Sequence, residues 1–102
     1  MFDLSKAMEL KKKMEEMKSK LDSISVDGIA GDGKYKVTVT ATANKTIKNI
    51  DISSDLIQGG DKDYIEDLIL TAINRAMDQA QKVSEAEARS LAMSGGLPDL
   101  GL

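Results

Sequence analysis

Lysines stand at positions 6, 11, 12, 13, 18 and 20, interleaved with the apolar residues Ala7, Leu10, Met14, Met17, Leu21 and Ile24. The apolar steps of three and four are the heptad pattern of an amphipathic helix. With Ala7, Met14 and Leu21 placed at a, Lys6, Lys13 and Lys20 fall at g, and Lys11 and Lys18 fall at e. Both flanks of the seam are therefore cationic. Cations held in register along a rod can track the phosphates of a nucleic-acid backbone. The same lysines, interleaved with Glu9, Glu15, Glu16 and Asp22, also fit a solvated helix flank, and the pattern alone admits both readings. A parallel pairing of this helix with its own copy would set lysine against lysine at every g to e′ contact. A different helix is the expected partner.

Other chemistry is poorly supplied. The chain has no cysteine and no histidine, which removes disulfides, thiolate zinc sites and the usual neutral-pH general base. Gly31-Asp32-Gly33 and Gly59-Gly60 lack the following Gly-Lys-Ser/Thr of a phosphate-cradling loop. Asp61, Asp63, Glu66 and Asp67 suit helix capping better than a divalent cation, and Met8, Met14, Met17 and Met77 have the spacing of core or interface residues. Phe2, Tyr35 and Tyr64 are the whole aromatic complement, too few for a base-stacking platform. The expectation is no catalytic residue, no metal, no cofactor and no small-molecule substrate.

The net charge of −3 is unevenly spread: residues 1–25 carry six lysines against five acids, and residues 26–102 carry eight cations against twelve acids. Any attraction for DNA must come from local clustering at the front of the chain.

The elements that would position these lysines follow from the changes in period. A helix is predicted over 3–24. Between 25 and 53 the period becomes two, with Tyr35, Val37, Val39, Ala41 and Ala43 on one face of a central strand. A short strand around Val26 to Ala30 precedes it, and a third around Thr46 to Ile52 follows, giving an antiparallel meander. Ile47, Ile50 and Ile52 break strict alternation, which predicts a bulge or a strand end. After Gly59-Gly60, Asp61 or Asp63 can cap a second long helix over 62–93, whose apolar face runs through Ile65, Leu68, Ile69, Ala72, Ile73, Ala76, Ala80 and Val83. Arg75, Lys82 and Arg89 recur every seven residues on one flank. The branched residues of its first half suit the sheet, and its alanine-rich second half suits a position antiparallel to the first helix. The class is α+β, one domain over 1–94 with a flexible tail over 95–102. No apolar run is long enough to span a membrane, and the cytoplasm is the expected compartment.

The run from Asp63 through Ile65-Glu66-Asp67-Leu68-Ile69 to Ala72-Ile73-Asn74-Arg75-Ala76 closely resembles the YbaB/EbfC family of bacterial nucleoid-associated proteins. The Met- and Lys-rich first helix, the Gly31 to Gly33 entry to the central strand, the isoleucine-rich third strand and the Gly-Gly-Leu tail are similar too, so the resemblance covers nearly the whole chain. It implies a tweezer-like homodimer, with helical arms on a joined body, that binds DNA and localises to the nucleoid without cofactor or catalysis. The family's basic arm residues correspond by position type to Lys6, Lys11, Lys12, Lys13, Lys18 and Lys20 on the first arm and to Arg75, Lys82 and Arg89 on the second.

Three further expectations complete the reading. Duplex DNA should be held through its backbone, with little sequence preference, because two arginines and scattered amides are few for base reading. The dimer contact should involve Val39, Ile69 and Ile73, and Lys6 with Lys11 to Lys13 should lie at the arm tips beside Lys82 and Arg89. The rival is a prefoldin-like adaptor or holdase gripping a client with methionine-lined arms.

Overall fold

A computed structural model describes residues 4–93; the expected tail lies outside them. Six elements follow one another: α1 (Leu4–Ser23), β1 (Ser25–Asp32), β2 (Tyr35–Thr42), β3 (Ile47–Ile52), α2 (Ser54–Gly59) and α3 (Lys62–Met93). The strands form one antiparallel sheet in the order β1-β2-β3, with α3 packed across β1 and β2. The described residues extend 65 × 19 × 18 Å, because the two long helices project beyond the sheet.

Alternation in β2 sets the core. Val37, Val39 and Ala41 are fully buried, together with Ala30 from β1 and Leu68, Ala72 and Ala76 from α3. The first half of α3 packs on the sheet as expected, with the branched Ile65, Ile69 and Ile73 half-buried against the core, but the residues that lie deepest are Leu68, Ala72, Ala76 and Ala80. The reason is a close approach. A Cβ on Gly28 would stand 2.1 Å from the Ala72 carbonyl oxygen and 2.3 Å from the Ala76 nitrogen, so glycine facing alanine brings the helix backbone down onto β1.

The bulge falls in β3. Thr40 pairs with Asn49 but Ala41 pairs with Ile47, which skips Lys48 and returns Ile47 to the α3 side with Ile50 and Ile52. The helix does not reach that far, so Ile47 and Ile50 each remain 42% exposed. Ser53 ties the end of β3 to β2, accepting from Lys36 N–H at 3.2 Å and donating to the Lys34 carbonyl at 2.6 Å. The short α2 that follows had no periodicity of its own to announce it. Gly60 then turns the chain at φ +71°, and Asp61 caps α3 by accepting the Tyr64 N–H at 3.1 Å.

Candidate nucleic-acid interface

A helix of 20 residues, α1 is about 30 Å long and buries only Leu21 fully. Its C-terminal end is anchored: the Asn44 amide donates to Asp22 at 2.9 Å, and Ala43 N–H donates to the Ile24 carbonyl at 2.9 Å. From that anchor it runs out beside the end of α3. Lys20 Nζ meets Glu87 Oε2 at 2.7 Å, and Lys13, Glu16 and Met17 face Ser90 and Leu91 across a groove of 310 Å³. The antiparallel pairing expected for two unlike helices is therefore present.

The lysines fall into two groups. Lys13 and Lys20, both at g, lie toward α3; Lys20 is paired with Glu87, and Lys13 is half-buried with Glu9 at 3.7 Å. Lys6, Lys11, Lys12 and Lys18 are exposed, and none makes an ion pair among the described residues. Lys11 and Lys18 flank a second, open groove of 600 Å³ floored by Ala7, Leu10 and Met14 and closed at one end by Asn44. Thus α3 covers only one side of the α1 seam, and the side bearing the unpaired lysines stays open.

The second-helix cations are placed differently from expectation. The Arg75 guanidinium lies over the body, where Nη1 donates to the Ile29 carbonyl at 2.6 Å, so it serves to hold α3 against β1. Lys82 is not at a tip. With Glu87 level with Lys20, Lys82 lies ~7 Å toward the body and Lys13 ~10 Å toward the tip, at 1.5 Å per residue. Lys82 and Arg89 also sit roughly 140° and 200° around α3 from Glu87, hence on its face turned away from α1. They are exposed but form a separate cationic surface. A strict count of seven placed them in one row; the direction of that row depended on which face of α3 met α1.

Of the expected interface residues, Val39 is fully covered within its own chain, while Ile69 and Ile73 are half-buried on the flank of α3. Ile47 and Ile50 of β3 are exposed on the α3 side of the sheet, a feature the sequence marked only as broken alternation. Among the described residues no group of three or more Asp, Glu, His or Cys side chains is arranged to hold a metal ion. No described helix is long and apolar enough to cross a membrane.

Fold and surface together define a helix–meander–helix scaffold that carries a cationic rod on a largely acidic body. The YbaB/EbfC DNA-binding family model matches residues 2–97, and the chain belongs to that family. Among similar proteins, a nucleoid-associated protein of Neisseria meningitidis is 36% identical over 97 residues, spanning 93% of this chain and 84% of the relative. One from Nitrobacter winogradskyi is 35% identical over 93% of this chain and 88% of its own, and one from Flavobacterium johnsoniae is 34% identical over 87% and 80%. The fold is also that of an uncharacterized protein of Helicobacter pylori, whose crystal structure superposes with a TM-score of 0.66 at 19% identity, covering 92% of this chain and 97% of that one.

Proposed function

We propose that the chain acts as a homodimer that binds duplex DNA in the bacterial nucleoid, through the phosphates and largely without sequence preference, and that it catalyses no reaction. The observation that carries this reading is the set of four exposed lysines, Lys6, Lys11, Lys12 and Lys18, without an ion pair among the described residues, along a projecting helix in a DNA-binding family. Lys13 and Lys20 contribute after exchanging a carboxylate for a phosphate, and Lys82 and Arg89 offer a second surface. Arg75 contributes least, because its guanidinium already serves a backbone carbonyl.

The decisive experiment is a gel-shift titration on random duplex DNA at two salt concentrations. Replacing Lys11, Lys12 and Lys18 by alanine leaves the seam untouched and should flatten the salt dependence, each lost phosphate contact removing up to ~0.9 from the slope. Lys34→Ala in the β1–β2 turn with Lys36→Ala on β2 should matter less. A greater loss from the sheet pair would move the DNA to the body and reject the arm.

The holdase reading has one observation in its favour, the apolar floor of the open α1 groove. Salt separates the two: phosphate contacts weaken steeply as salt rises, whereas apolar gripping persists.

A further inference from the structure

At the far end of α3 from the arms, α2 and the start of α3 border an open cavity of 230 Å³ lined by Tyr35, Asp55, Leu56, Asp61, Tyr64 and Ile65. The chain has two tyrosines and no tryptophan, and both tyrosines line this cavity, 43% and 46% exposed. Tyr64 and Ser90 are ~39 Å apart along the helix at 1.5 Å per residue, so the cavity is well separated from the lysine-bearing arm.

Its chemistry is opposite to that of the arm. Between Ser54 and Asp67 stand Asp55, Asp61, Asp63, Glu66 and Asp67 against one lysine, Lys62, which is paired with Glu66 at 3.3 Å. One oxygen of Asp61 caps α3; the other, and the Asp55 carboxylate, have no partner among the described residues. The floor is apolar, formed by buried Leu56 and half-buried Ile65. Lys34 is a second cation beside the cavity, its Nζ 5.3 Å from the Tyr35 ring centroid, so an incoming cation must share or displace it at that ring.

We infer that this cavity is a docking site for a lysine or arginine side chain presented by a protein partner. An aliphatic stem can lie on Leu56 and Ile65 while its cationic head reaches the tyrosine faces and the two carboxylates. Its 230 Å³ falls below the ~300 Å³ at which small-ligand pockets begin, which suits one side chain and not a cofactor. The carboxylates repel nucleic acid, so a basic protein is the fitting occupant. The inference is independent of how the arm binds DNA.

Because both tyrosines line the cavity, intrinsic tyrosine emission of the full-length protein reports occupancy directly. The probe is a short alternating Arg-Gly peptide, compared with the same peptide carrying norleucine in place of arginine. A saturable emission change is expected with arginine and not with norleucine. Asp55→Asn with Asp61→Asn should weaken binding about tenfold, in line with a cation losing both carboxylates and keeping only the rings. Asparagine preserves the helix cap, so the fold is spared, and an unchanged circular dichroism spectrum checks this. Asp63→Asn with Asp67→Asn changes the net charge equally but lies outside the cavity lining, and should leave affinity within about twofold. Equal loss from both pairs would reduce the effect to long-range attraction and overturn the proposal. So would equal binding of the norleucine peptide. Self-association of the protein abolished by the cavity pair would assign the site to a second copy and reject a separate partner.

Discussion

Two residues govern the structure at the residue scale in ways that composition hides. Gly28 is required because its missing Cβ is the space in which Ala72 and Ala76 sit, and no flexible side chain is available to yield there. Gly28→Ala should therefore destabilise the fold by ~3 kcal/mol or more, beyond the usual cost of overpacking because the obstruction is backbone. Urea unfolding measures it, and a loss under ~1 kcal/mol would mean that α3 lifts from β1 without penalty. A glycine within an alternating strand reads as a weak point, and the helix that needs it lies more than forty residues away in sequence. That pairing of distant small residues was not legible. Arg75 is the converse. Its place in a seven-residue row suggested a phosphate contact, but a hydrogen bond to Ile29 across 46 positions of sequence gives it a structural task. The Asp61 cap, by contrast, was readable because capping is local, made within the same turn as its Tyr64 partner.

Local periodicity succeeds again at the scale of elements and fails where partners must be chosen. The heptads of α1, the alternation of β2 and the aspartate-led start of α3 gave the boundaries to within a residue or two, because each is written in consecutive residues. Which face of α3 meets which neighbour was not. The helix turns an alanine line to the sheet and Glu87, Ser90 and Leu91 to α1, leaving Lys82 and Arg89 on the far side. The contact between Lys20 and Glu87 has a consequence for DNA. As an ion pair with an exposed lysine and a partly covered carboxylate it contributes ~1 kcal/mol to holding the arm, yet it keeps a lysine and a competing carboxylate together. Glu87→Gln should leave the thermal midpoint nearly unchanged, free Lys20 for phosphate and steepen the salt dependence by up to ~0.9. Binding and melting curves on the same preparation test both halves, and an unaltered or flatter slope would show that Lys20 faces away from the DNA.

On the scale of the whole molecule, the described part of the chain leaves apolar side chains exposed. Ile47 and Ile50 lie exposed on the α3 side of an edge strand, Ile69 and Ile73 are half-buried on α3, and the Ala7, Leu10 and Met14 side of α1 is open as well. A domain of this size buries a modest fraction of its surface, and apolar ground of this kind beside unpaired strand edges is where the proposed homodimer would close. Val39 cannot make that contact, since α3 of its own chain covers it. The prediction moves to its neighbour across the ladder, Ile50, paired in register with Val39. Ile50→Asp with Ile73→Asp should convert a dimer into monomers at micromolar concentration, measured by light scattering. Because the buried β2 residues and the alanine line of α3 are untouched, the monomer should retain its circular dichroism spectrum with a lowered melting temperature. DNA affinity should fall more than in the arm variant, since losing the dimer halves the number of lysine-bearing arms engaging one duplex and removes the gain from binding both at once. The Lys11, Lys12 and Lys18 variant should remain dimeric. A wild-type protein that scatters as a folded monomer, or a double variant that stays dimeric, would place the subunit contact elsewhere, with the open α1 groove the next surface to test.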